Sequence, residues 1–184
     1  MNIISSIIII IVVSLFMSYL MSSSKKEIAA NEEGFLVFKM NKAYGIVGTL
    51  GIIAIFIVGI IASLGTVKTI SGALVVLLIS ILLLLLCLPL LLVSRNQKIM
   101  VSDEKILFYS MTGKLKEILW TDINEVKFNK VSLELKLITN STSIKLHMHL
   151  VGFNRFLELM EMNLSSEIYR NAMITLQSVQ KRYS

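Results

Sequence analysis

The chain has 184 residues, 55% of them hydrophobic and 16% charged, with a mean hydropathy of +0.77 and a formal net charge of +6. That balance is far from an ordinary soluble domain, which carries more charge and less apolar mass. The lone cysteine, Cys87, excludes a disulfide scaffold, and its place deep in an apolar run leaves no supply of metal-binding partners.

The first element is an uncharged apolar run, Ile3–Met21, and two more follow at Tyr44–Leu64 and Gly72–Val93. Each has about the length that spans a bilayer as a helix. Backbone in hydrocarbon must satisfy its own hydrogen bonds, so the runs predict spanning helices and an integral membrane protein. The first run could instead be a cleaved secretory signal, but it lacks a positively charged start and no small-x-small cleavage site follows it.

Basic residues set the expected orientation, because cytoplasmic flanks carry the excess of Lys and Arg. None precedes Ile3; Lys25, Lys26, Lys39 and Lys42 lie between the first two runs, only Lys68 between the second and third, and Arg95 and Lys98 after the third. The expectation is an N-terminus outside, a cytoplasmic first loop and a cytoplasmic C-terminal domain. Abundant Ile, Lys and Asn with a single proline point to a low-GC bacterium and its plasma membrane.

No Asp, Glu, Lys, Arg or His falls within the runs, which argues against a proton-coupled carrier or an intramembrane protease. Gly45, Gly48, Gly51, Gly59 and Ser63 let helices approach closely, either inside this small bundle or across a homo-oligomer contact, and Pro89 could kink the third helix.

Between the first two runs, polar Ser22–Asn31 precedes Gly34–Met40, whose aromatic and β-branched content predicts a strand. It could lie on the membrane surface or pair with the C-terminal domain, and the shared cytoplasmic side favours pairing. From Lys98 the chain reads as strands and then helix, an α+β pattern: Lys98–Val101, Lys105–Ser110, Leu115–Leu119, Glu125–Asn129, Ser132–Thr139 and Ser143–Leu150. Turns fall at Ser102–Glu104, Thr112–Lys114 and Asn140–Thr142. Leu133, Leu135 and Leu137 alternate with Glu134 and Lys136, so one sheet face is buried and the other wet. After Gly152 the period changes: Phe153, Phe156, Leu157, Met160 and Leu164 predict an amphipathic helix. Ser165 or Ser166 caps a second one with Ile168, Ala172, Leu176 and Val179 on one face, set against the domain or on lipid. Its Lys181-Arg182-Tyr183 end suits either a solvated or an interfacial position.

The strand order, the Ile-Leu-Trp-Thr-Asp-Ile-Asn-Glu-Val element at 118–126 and the closing helix resemble the bacterial pleckstrin-homology-like (PH-like) domains over roughly residues 97–163. Trp120, Ile123 and Val126 match a recurring element of that family. The resemblance implies a small cytoplasmic α+β domain, an antiparallel sheet or partly open barrel with a C-terminal helix, attached to three transmembrane helices. The expected division is 1–21, first transmembrane helix; 22–42, loop with a first strand; 43–94, helical hairpin; 95–164, PH-like domain; and 165–184, amphipathic helix.

Some relatives outside bacteria grip phosphoinositide headgroups with basic residues, and Lys105, Lys114, Lys116, Lys127 and Lys130 are the nearest candidates here for contact with anionic lipid. They lack an arginine and are mixed with Glu104, Glu117 and Glu125, which suits non-specific attraction to the bilayer better than stereospecific recognition. His147 and His149 sit at strand spacing but have no supporting ligand cluster, so no metal is expected. There is no P-loop, dinucleotide fingerprint or catalytic Ser/His/Asp signature, so no enzyme and no cofactor are expected. From Arg95 onward 13 basic residues mix evenly with 9 acidic ones, which does not point to nucleic acid. The sequence therefore predicts a membrane-anchored module that binds a protein partner or the anionic leaflet. The competing expectation is an accessory subunit of a transport or secretion complex whose helices are the active part.

Overall fold

The computed structural model describes residues 18–62 and 69–183 together with Ile7, Ile11, Ser14 and Leu15. Most of the first apolar run, Ser63, Lys68 and the side chain of Arg182 lie outside the described residues, and with them the expectations placed there. The chain forms two compact units, one from Met1–Asn41, Lys98–Tyr109 and Leu115–Ser184, the other from Lys42–Gln97 and Ser110–Lys114.

The second unit is a hairpin of two helices, α1 (Lys42–Ile61) and α2 (Ile70–Asn96). Both are long and apolar enough to cross a membrane, and neither is a core helix: only Ala43 and Gly48 of α1 are buried and no residue of α2 is. Twenty residues rise about 30 Å, the thickness of the hydrocarbon layer. α2 starts at Thr69, whose hydroxyl accepts from Gly72 N at 3.2 Å, and carries Pro89 inside it. The close packing expected of the glycines is used within the hairpin. A Cβ on Gly48 would fall 2.8 Å from Leu91 N and 2.9 Å from Cys87 O, and Gly45 and Gly51 abut Ser94 and Cys87. Gly59 faces open space. The turn Ser110–Lys114 belongs to this unit, and Asn96 Nδ2 donates to Met111 O at 2.8 Å.

The other unit holds two antiparallel sheets, one ordered β1 (Leu36–Lys39), β2 (Lys98–Val101), β3 (Lys105–Tyr109) and β4 (Leu115–Leu119), the other β5 (Ile123–Asn129), β6 (Glu134–Thr139) and β7 (Ser143–His147). Two helices follow, α3 (Phe153–Asn163) and α4 (Ser166–Tyr183). The strand from the first loop pairs with the C-terminal part of the chain: β1 runs antiparallel to β2 with Phe38 opposite Ile99, and Met40 bridges Leu150. Alternate residues face inward, so Phe38, Ile99, Val101, Ile106, Leu135, Leu137, Ile144 and Leu146 are buried. Phe156 of α3 sits among them, edge-on to Phe38 at 5.7 Å and 6.1 Å from Trp120.

Two expectations are corrected. Leu133 belongs to a turn rather than a strand: it holds φ 54°, a left-handed conformation, and β6 begins at Glu134. The last strand ends at His147, because Met148 and His149 turn and Leu150 returns only as a bridge. The polar stretch after the first run is docked: Ser23 and Ser24 are buried, and their carbonyls accept from Gly152 N at 3.0 Å and Asn154 N at 3.1 Å. These bonds satisfy N–H groups at the start of α3 that a helix cannot satisfy itself. Gly152 is required there, since it holds φ 74° and a Cβ would collide with Ile28. The C-terminal helix α4 packs along β5 with Ala172, Leu176 and Val179 buried, so it is part of this unit rather than a separate segment.

Candidate functional site

Trp120, Ile123 and Val126 form a buried joint between the two sheets. Trp120 lies in a single 3₁₀ turn, Trp120–Asp122, between β4 and β5, and its Nε1 donates to Ser102 O at 3.0 Å. Ile123 and Val126 are the inward residues of β5. All three act through packing.

The five lysines are not one cluster. Lys114 stands in the turn that belongs to the helical unit, its backbone N donating to Ser110 Oγ at 3.1 Å. Lys105 pairs with Glu117 at 2.9 Å, and Lys116 Nζ donates to Ser143 O at 2.9 Å, so both are engaged in the sheets. Lys127 and Lys130, in contrast, line a concavity of about 510 Å³ together with Lys136 and Lys145. Strand register explains the meeting: Lys127 lies opposite Lys136, and Lys136 opposite Lys145. Because the flanking residues Val126, Leu137 and Ile144 face inward, the three lysines share the outer face of the sheet. Lys127 and Lys145 reach Glu125 at 2.8 Å and Glu134 at 3.6 Å, whereas Lys136 and Lys130 make no ion pair among the described residues. The sequence reading missed Lys136 and Lys145. Their one linear signal is the equal spacing of 127, 136 and 145 across two hairpin connections.

The strand spacing expected of His147 and His149 is replaced by a turn, yet the rings lie 4.6 Å apart and His149 N donates to His147 Nδ1 at 3.2 Å. Burial holds the pKa of His147 down to about 4, and burial reinforced by His147 does the same for His149. Both are neutral near pH 7. Among the described residues no third His, Cys, Asp or Glu gathers with them.

Comparison with protein-family models, curated proteins and solved structures yields no match.

Proposed function

We propose that the chain is an integral membrane protein presenting a PH-like binding module on the cytoplasmic face of a bacterial plasma membrane, with a protein partner or the anionic leaflet as ligand and no catalytic role. One observation carries the reading. Strands on either side of an apolar helical hairpin in the sequence zip into one sheet, β1 against β2, so the hairpin is an insertion in a folded module and not an appendage to it. Four strands, three strands and a following helix fit the PH-like arrangement, a scaffold on which sites are grafted, so the ligand must come from the site and not the fold. The mixed, partly paired lysines favour attraction to a charged partner or surface over shape-specific recognition.

The competing reading makes the helices the active part of a transport or secretion complex. Replacing Lys42–Gln97 by an unrelated apolar hairpin separates the two, with in-cell crosslinking and capture from native membranes as the readout. Retention of the wild-type crosslinked set supports the module. Its loss, in a protein that is still inserted and folded, transfers the function to the helices.

A further inference from the structure

We infer that the groove between α1 and α2 beside Lys42 and Arg95 is a selective site for one anionic phospholipid, with its phosphodiester between the two cations and an acyl chain along Ile46, Leu50 and Leu91. The site lies in the hairpin and not in the module. It rests on the membrane part of the reading above and is independent of what the module binds. Its ground is charge that the chain leaves uncompensated. The unit formed by Lys42–Gln97 and Ser110–Lys114 contains no Asp or Glu, so nothing within it neutralises Lys42, Arg95 or Lys114. Lys42 and Arg95 are exposed and make no ion pair among the described residues. Cations at the ends of spanning helices are ordinarily explained by topology alone. Topology asks only for charge near the bilayer, whereas here cations from two different helices flank one groove of about 400 Å³. Helix packing sets their meeting: Gly45 abuts Ser94 and Gly48 abuts Leu91, so the helices run antiparallel. Lys42 stands about one turn, roughly 5 Å, before Gly45, and Arg95 directly follows Ser94, which places both at the same end of the hairpin.

That geometry selects the occupant. Lys42 starts α1, and Ile46 and Leu50 lie one and two turns further in, about 6 and 12 Å along the axis. Leu91 lines the same groove from α2. A Cβ on Gly45 would fall 2.7 Å from Ser94 Oγ, so the glycine sets the spacing of the helices there. The occupant must carry negative charge at one end and hydrocarbon at the other. A phospholipid of the leaflet that meets Lys42 and Arg95 supplies both in one molecule, whereas a soluble phosphate has no tail. Basic pockets between spanning helices take lipid headgroups in this way. The planar arginine fork suits two phosphate oxygens, and lysine adds a point charge on a stem that lies along apolar surface. Two cations match one phosphodiester rather than a multiply phosphorylated headgroup. The ammonium of a zwitterionic headgroup finds no carboxylate in this unit, so a headgroup of net negative charge is preferred.

The test is native mass spectrometry of the full chain released from uncharged detergent micelles that contain equal amounts of phosphatidylglycerol and phosphatidylcholine. The wild type retains one phosphatidylglycerol in preference to phosphatidylcholine. Each cation near a bilayer surface is worth about a factor of five, so Lys42→Gln/Arg95→Gln lowers the affinity for phosphatidylglycerol by roughly twentyfold. Lys136→Gln/Lys181→Gln removes the same charge outside the hairpin and changes it by less than about twofold. Thr49→Phe keeps both cations but fills the groove, and lowers it by about tenfold or more. Lys42, Thr49 and Arg95 are all exposed, and helicity by circular dichroism is unchanged in these variants, so the losses are not losses of fold. Absence of the preference in the wild type overturns the site, as does wild-type affinity in either Lys42→Gln/Arg95→Gln or Thr49→Phe. The membrane reading has its own readout, retention of the chain in the membrane pellet after alkaline carbonate extraction. A retained chain without the preference overturns the lipid site alone, and a chain released from the pellet overturns both.

Discussion

Phe38→Ala tests whether a strand that precedes the helical hairpin is part of the module's core. Phe38 has no exposed surface and packs edge-on against Phe156 at 5.7 Å. An aromatic side chain buries about 150–250 Å², which at about 25 cal/mol per Å² gives about 4–6 kcal/mol. Compactness of the unfolded chain lowers this to about 3–5 kcal/mol, the range typical of Phe→Ala in cores. Urea unfolding of the full chain in nanodiscs reads the effect through the single tryptophan, Trp120, which lies 6.1 Å from Phe156. The expected result is a free energy of unfolding lowered by that amount at unchanged slope, with the midpoint falling in proportion, and a coupling of about 0.5–1.5 kcal/mol with Phe156→Ala in a double-mutant cycle. A loss under about 1 kcal/mol for Phe38→Ala, beside a full loss for Phe156→Ala, would refute the claim that β1 is a core strand.

Two further predictions follow from the packing and the histidines. Gly48→Ala drives a methyl group onto backbone atoms of Leu91 and Cys87 at 2.8 and 2.9 Å, so the hairpin should lose about 1–3 kcal/mol in micelle unfolding, while Gly59→Ala, with open space around it, should cost nothing. His147 and His149 titrate near pH 4 when folded and near 6.5 when unfolded, so the unfolded state takes up protons first as pH falls. Their contribution is fully present above about pH 6.5, is lost between there and about pH 4 at up to roughly 1.4 kcal/mol per pH unit per proton, and then levels off. Unfolding midpoints across that window should flatten in the double variant His147→Gln/His149→Gln, and an unchanged slope would count against burial as the cause.

Period and composition disclosed the regular elements. β2 and β4 fall on their expected bounds because turn residues bracket apolar pairs, and α3 follows its three- and four-residue spacing. What stayed hidden depends on long-range pairing. Leu133 fits an alternating pattern, yet a tight connection to β5 forces it into a left-handed turn. The docking of Ser22–Asn31 uses the carbonyls of Ser23 and Ser24, which composition does not reveal. Lys136 reads as the wet half of an amphipathic strand; only the register of β5, β6 and β7 places two more lysines beside it.

The central claim is that the two chain segments flanking the hairpin meet in one sheet on the cytoplasmic side. Val37 and Met100 are register partners, and antiparallel partners lie about 4.5–5.5 Å apart, within disulfide range. The direct measurement is oxidation of Val37→Cys/Met100→Cys in a Cys87→Ala background in intact cells, with and without prior blocking by a thiol reagent that cannot cross the membrane. The account predicts an intramolecular disulfide in broken membranes and, in intact cells, cysteines that the impermeant reagent does not reach. Absence of the crosslink, or blocking from outside, would contradict it.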